Sequence, residues 1–223
     1  DDFRKYGHSK ENRPNPIVQM GLFMDADGIP LTFSLFNGNE NEQPSMKPLE
    51  KKILSDFGMT KFIVCTDAGL SSVSNRVFNN TPNRKFVTTQ PIKKLKGFLK
   101  DYCLGADGWH LIGDERKYKL DELDESDYYE KTFYKDRWIN EDGLEQHLVV
   151  TFSFQYRDYM RKIRSRQLER AEKLVNNPSS LKKKQPNDPR RFIRQDHCTS
   201  DGEVADKMIP SIDEDVAREE ERY

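Results

Sequence analysis

Apolar residues fall on every second position in two neighbouring stretches near the start of the chain. Val18, Met20, Leu22 and Met24 share one face of residues 17–24, and Leu31, Phe33 and Leu35 share one face of residues 30–36. Asp25-Ala26-Asp27-Gly28 lies between them. Two alternating runs around a turn-forming cluster predict an antiparallel β-hairpin. Asp25 and Asp27 are read as turn residues, whose side chains bond to nearby backbone, rather than as metal ligands. Past the polar break at Asn37-Gly38-Asn39-Glu40 the period lengthens. Met46, Leu49, Ile53, Leu54 and Phe57 recur at helical spacing and predict a helix over 45–57, with Pro48 in its first turn and Gly58 at its end.

The next run, Phe62-Ile63-Val64-Cys65, is short, apolar and partly β-branched, so it predicts a buried strand. Asp67 follows directly. The exit of a buried strand is where open α/β sheets place ligand-binding groups, yet an Asp there also caps a following helix, and the local pattern leaves both open. A short helix over 73–78, a strand over 85–89 and a helix over 92–100 complete an α/β core. From Asp107 onward aromatics mix with charges. Strands are predicted in the aromatic stretch 128–138 and over 147–154, where Leu148, Val150, Phe152 and Phe154 are in phase. A long helix is then predicted over 155–176, with an apolar stripe containing Tyr156, Tyr159, Met160, Ile163, Ala171, Leu174 and Val175. The expected organisation is a core over 1–105, a β-rich section with a basic helix over 106–200, and an acidic linker or return to the core over 201–223.

Composition changes this picture in two places. The net charge of -1 hides a basic stretch over 157–194 and an acidic one over 196–221, and phosphate responds to local charge. Charged residues make up 34% of the chain against 35% hydrophobic, which is polar for a single compact core. Cys65, Cys103 and Cys198 form neither a zinc pattern nor a disulfide framework, which favours a reducing cytoplasm. No secretory leader or membrane-spanning run is expected. His8, His110, His147 and His197 are scattered without a partner at i+4, so metal and acyl-transfer motifs built on histidine have no support.

Gly7-His8-Ser9-Lys10-Glu11-Asn12-Arg13-Pro14 resembles the Gly-Tyr-Ser-Lys-Asp-His-Arg-Pro segment of insertion-sequence transposases of the DDE type, in the IS4-like group and its IS1634-like branch. The resemblance continues in order through Gln19-Met20-Gly21-Leu22, Gly28-Ile29-Pro30-Leu31, the Phe36-Asn37-Gly38-Asn39 loop and Ile63-Val64-Cys65-Thr66-Asp67-Ala68-Gly69-Leu70, followed by Asn75. Its specificity lies in that ordered combination over 7–75; beyond about residue 90 it is one of layout.

The resemblance implies a partial RNase H-like core with a β-rich insertion and a long basic helix. It implies an Asp-Asp-Glu triad of which Asp67 is the second Asp, serving as catalytic and metal-binding residue. The first Asp and the Glu are expected outside this chain, as for an interior piece of a longer enzyme, so the chain by itself is expected to be inactive. Neither Asp1, Asp2 nor Glu169 is assigned to the triad. The implied cofactors are two Mg²⁺ or Mn²⁺ ions, which suit hard oxygen ligands and support in-line attack on a phosphodiester. The implied partner is double-stranded DNA, at transposon ends and target, with no membrane, in a bacterial, nucleoid-associated cytoplasmic setting, and with a homodimer in the intact enzyme. Lys10, Arg13, Arg157, Arg161, Arg164, Arg170, Lys182, Lys183 and Lys184 are the candidate DNA-contacting cations, and a solvated charged face is the plainer alternative for them. Asn37 and Asn39 are expected to shape a turn. Two further functions share parts of this chemistry: a DNA-binding remnant without catalysis, and an RNase H-like nuclease.

Overall fold

The computed structural model describes residues 3–7, 14–58, 60–177, 188–198 and 204–223. The chain is a mixed α/β protein that divides into two compact units, the first comprising Asp1–Leu95 with Glu141–Leu144 and the second Lys96–Asn140 with Glu145–Tyr223.

In the first unit, β1 (Val18–Met24) and β2 (Pro30–Asn37) form the expected antiparallel hairpin, with Met20 opposite Leu35 and Leu22 opposite Phe33. Asp25 makes the turn: its Oδ1 accepts from the backbone N–H groups of Asp27 at 3.0 Å and Ile29 at 2.8 Å. The alternation specifies the strands but not the face that packs. Val18, Met20, Leu22 and Met24 point to solvent. The opposite face meets α1 (Met46–Phe57), and Gly21 marks the contact, since a Cβ there would lie 2.8 Å from Leu49 Cδ1. α1 buries Met46, Leu49, Glu50 and Ile53 and ends at Gly58 in the left-handed conformation. Two glycines of the motif segments explain each other: a Cβ on Gly7 would stand 1.8 Å from Gly38 O, so only glycine allows the N-terminal segment to lie against the Asn37-Gly38 turn. Asn37 Nδ2 donates to Glu40 Oε1 at 2.5 Å, in keeping with a turn-shaping role.

A parallel strand–helix–strand unit follows. β3 (Phe62–Thr66) pairs with β4 (Arg84–Thr88) through the crossover helix α2 (Val73–Phe78). The single helix expected over 92–100 is instead a 3-10 turn at Ile92–Lys94 followed by α3 (Gly97–Leu104). Leu95 and Lys96 are extended between them and interrupt the helical hydrogen bonding.

In the second unit, β5 (His110–Leu111), β6 (Phe133–Glu141) and β7 (Leu144–Phe152) form a three-stranded sheet. Tyr128 belongs not to a strand but to α4 (Glu125–Tyr128), because Asp124 caps that turn by accepting from Ser126 N at 3.0 Å. Phe154 likewise leaves the strand phase. Ser153 Oγ accepts from Tyr156 N at 3.1 Å, and this N-cap starts α5 (Phe154–Val175) at Phe154. Phe133, Phe154, Trp109 and Tyr118 form an aromatic core, with Phe133 edge-on to Tyr118 at 5.5 Å and to Phe154 at 6.2 Å. Lys135 is buried beside it at 3% exposure. Its Nζ donates to Gly105 O at 2.8 Å and lies over the rings of Trp109 and Tyr102. The acidic end of the chain carries regular structure: β9 (Val204–Ile212) pairs antiparallel with β8 (Ile193–Cys198), and Asp213 caps α6 (Glu214–Glu221). Glu214 and Asp215 occupy the first turn of α6, where the helix dipole favours carboxylates. Among the described residues no helix is long and apolar enough to cross a membrane.

Candidate functional site

Asp67 stands at the C-terminal end of β3, exposed, at the point where the chain leaves the parallel pair for α2. Of the two roles open to it, it performs part of the capping one. Its Oδ1 accepts from Gly69 N at 2.9 Å and caps the 3-10 turn Ala68–Leu70, while α2 has its own cap in Ser72. Among the described residues Asp67 Oδ2 accepts no hydrogen bond, so half of the carboxylate faces outward without a protein partner. The backbone of Asp67 is held from the next strand: Thr88 Oγ1 donates to Asp67 O at 3.2 Å and lies 3.1 Å from Thr66 Oγ1.

A second carboxylate shares this corner. A Cβ on Gly69 would lie 3.0 Å from Asp67 Oδ1 and 3.1 Å from Glu42 Oε2, so both carboxylates stand close against position 69. Glu42 is exposed and directly precedes the 3-10 turn Gln43–Ser45 that leads into α1, making no side-chain cap to it. Nothing in the local pattern around Glu42 marks it; the fold brings it to Asp67 from a separate element. Two exposed carboxylates are the donor type that Mg²⁺ or Mn²⁺ takes, and Mg²⁺ is commonly held by one or two carboxylates together with water and substrate phosphate. Among the described residues no third Asp, Glu, His or Cys joins them in a ligand group.

The loop carrying Asp67 is clamped from the turn before α1. Gln43 Oε1 accepts from Ser72 N at 2.9 Å, and Gln43 Nε2 donates to Gly69 O. Asn75, buried at the start of α2, donates through Nδ2 to Gln43 O at 3.0 Å and to Leu70 O at 3.1 Å. Asn75 ended the family-like motif, and its position has a physical reason: one amide ties both sides of the loop. Gln43 carried no sequence signal.

The candidate cations divide by position. Lys10, Arg13, Lys182, Lys183 and Lys184 lie outside the described residues. Arg157 forms two hydrogen bonds to Glu125, at 2.7 and 2.6 Å, and pairs with Asp158 at 2.9 Å. The hydrogen bonds to Glu125 raise its already high pKa further and hold the Glu125 carboxyl below its ordinary value. Arg157 is therefore engaged within the second unit. Arg161 pairs with Asp158 at 3.8 Å, and Arg161 and Arg164 line a cleft of about 440 Å³ between α5 and α6 together with Glu214, Arg218 and Glu221. Only Arg170 of the four named α5 arginines is on the outward ridge. There it joins Lys162, Arg166 and Lys173, all exposed at i, i+4, i+8 and i+11. Among the described residues none of these four forms an ion pair. Tyr156 and Tyr159, expected in the apolar stripe, are exposed on the first turns, with ring centroids 6.2 Å apart. The helical period places Lys162, Arg166 and Lys173 on this ridge, but only packing shows which arc of α5 is free. Comparison with protein-family models, curated proteins and solved structures finds no match to this chain.

Proposed function

We propose that the chain is part of a DNA transposase of the DDE type, with an RNase H-like core, in which Asp67 supplies one carboxylate of the divalent-metal site and α5 presents a basic ridge to DNA. The observation that carries this reading is Asp67 itself. It is an exposed carboxylate with one free oxygen at the exit of a parallel strand, within a segment whose ordered motifs resemble that family. Asp67 and the neighbouring Glu42 are the side chains that would hold Mg²⁺ or Mn²⁺. When bound, the metal would activate a water or 3′-hydroxyl and stabilise the leaving oxygen. The protein's own share is positional: Gln43, Asn75 and Thr88 keep the Asp67 loop in one conformation before substrate arrives. The chain acts within a longer parent that contributes the remaining carboxylates, and paired DNA ends are held by a dimer of that parent.

The test is Asp67→Asn in the intact parent, assayed with DNA carrying the element's ends. Asn keeps the capping oxygen but not the negative charge. Mg²⁺- or Mn²⁺-dependent cleavage and strand transfer are expected to fall to background, while DNA binding measured by filter retention stays at the level of the unaltered protein. Full activity in Asp67→Asn overturns the assignment. A second reading, DNA binding without catalysis, is favoured by the ridge on α5, which needs no metal to meet phosphate. It predicts that the parent binds DNA but leaves it uncut with Asp67 intact.

A further inference from the structure

Toward the start of α5 the basic ridge continues as an aromatic one. Tyr159 precedes Lys162 by three positions and Arg166 by seven, so at about 3.6 residues per turn it stands on the same line as Lys162, Arg166, Arg170 and Lys173. Tyr156 stands a further turn back, at the edge of that line. Both rings are in water, Tyr156 63% and Tyr159 58% exposed. Their centroids lie 6.2 Å apart and their planes are inclined by 34°, so neither ring lies flat on the other and each keeps an open face. A third tyrosine reaches this end from another segment: Tyr129, itself exposed, accepts through its carbonyl from Gln155 N at 3.3 Å. Among the described residues none of the three hydroxyls forms a hydrogen bond. A tyrosine kept for packing buries its ring and finds a partner for its hydroxyl. Single exposed aromatics need no explanation, but three grouped at the head of a row of cations do. Asp158, the only acid in the first three turns of α5, is occupied by Arg157 at 2.9 Å and Arg161 at 3.8 Å.

We infer that this end of α5 receives unpaired nucleotides, so that the helix takes DNA at a junction of duplex and single strand. Lys162, Arg166, Arg170 and Lys173 run along the duplex phosphates, and Tyr156 and Tyr159 stack on bases of the unpaired strand. The inference rests on the reading of α5 as the DNA contact and goes beyond it by naming the form of DNA preferred. Cations alone suffice for phosphate, and they explain no tyrosine. In a duplex each base is covered by its neighbours and shows only its edges in the grooves. An exposed aromatic face therefore finds a stacking partner where bases are unpaired. Every base has such a face, so what is recognised is the open strand and not its sequence. The dimensions agree. Lys162 to Lys173 rises ~16 Å along the helix axis, the length of about five nucleotides of a duplex strand at ~3.4 Å each. Tyr159 lies ~4.5 Å beyond Lys162, in reach of the nucleotide that follows.

Fluorescence anisotropy of the full 223-residue chain tests this with labelled DNA at about 50 mM salt. The probes are a blunt duplex, the same duplex with a single-stranded extension, and that duplex with an extension of abasic residues, which keeps the phosphates and lacks the bases. The extended duplex is expected to bind at least about tenfold tighter than its abasic counterpart, as stacking of one or two bases requires. Tyr156→Ala with Tyr159→Ala is expected to abolish that preference and to leave blunt-duplex binding within about twofold, with the salt dependence unchanged because no charge is removed. Alanine is the best helix former and both positions are exposed, so the far-ultraviolet circular dichroism should not change. Phenylalanine at both positions should keep the preference, since stacking needs the ring and not the hydroxyl. Equal binding of the extended and abasic duplexes overturns this inference and leaves the duplex reading of α5 in place. An alanine variant that keeps the preference, or that loses the blunt duplex as well, also overturns it. Failure to bind any of the three DNAs overturns the DNA reading of α5, and this inference with it.

Discussion

Glu50 is fully buried on α1, and its two oxygens accept from Asn79 Nδ2 at 2.8 and 3.0 Å. Loss of solvent raises its pKa above 4.5, against the lowering effect of the Asn79 hydrogen bond and of the Arg84 and Lys47 charges. The folded state thus holds the Glu50 proton to higher pH than the unfolded chain does. Between 4.5 and the raised value the native state binds more protons, so this group's contribution to stability is present at low pH and is lost as pH rises through the folded pKa. Glu50→Gln is expected to remove that loss. Chemical denaturation at pH 4.5 and pH 7.5 should show a smaller fall in stability for the variant than for the unaltered chain, and an equal fall would show that Glu50 is not the titrating group. Lys135 is the corresponding cation. Burial lowers its pKa below 10.5, and Gly105 O, which it contacts, also accepts from Trp109 Nε1 at 2.9 Å. Removing the ammonium therefore leaves no orphaned carbonyl. Lys135→Met should change stability by less than about 1.5 kcal/mol. Lys135→Ala, which opens a cavity between Trp109 and Tyr102, should cost about 2–4 kcal/mol. Thermal melts of the pair separate a packing role from a requirement for charge. Glu50 and Lys135 carry no mark in the sequence, because burial of a charged residue depends on which distant elements close over it.

The long helix was legible as an element before its role was. Its period and its end at Asn176-Asn177 predicted 155–176, and α5 spans Phe154–Val175 with the Ser153 cap setting the start. Its faces were less legible. Arginine recurs so often along α5 that sequence alone offers several basic arcs, and Arg157, Arg161 and Arg164 turn out to serve an ion pair or the α5–α6 cleft. The free arc carries Lys162, Arg166, Arg170 and Lys173, where neighbouring charges at i, i+4 rise ~6 Å along the axis, a spacing that successive phosphates can meet. Replacement of Lys162, Arg166 and Arg170 by Ala is expected to weaken DNA binding uniformly across sequences and to flatten the log–log salt dependence by about 2 to 3. The same substitution at Arg157 and Arg161 should leave the salt slope nearly unchanged. Fluorescence anisotropy with a labelled duplex at several salt concentrations measures both. If the two variants behave alike, the outward ridge is not the DNA contact. At the hairpin the same limit applied in another form: period two identified β1 and β2, and Gly21 against Leu49 decided which side met the helix.

Across the whole chain, local order determined the elements and long-range closure determined the site. The sequence by itself specified the hairpin, α1, the β3–α2–β4 unit and α5, because alternation, helical period, turn residues and caps are written in neighbouring positions. Its position after a short apolar run put Asp67 at a strand exit but left its role open, and the resemblance of the ordered segment, not the local pattern, singled out Asp67 and Asn75. Tertiary structure alone decided three further matters. Glu42 and Gln43 reach Asp67 from a turn about twenty-five residues earlier, a proximity set by how α1 and the hairpin pack. The acidic end, with too few apolar residues to announce itself, forms β9 and α6 because β8 supplies backbone hydrogen bonds to its strand and Asp213 caps its helix. The choice of buried face on the hairpin, and of free arc on α5, came from the shape of the neighbours. Periodicity says that two faces differ; only the packed chain says which of them water keeps.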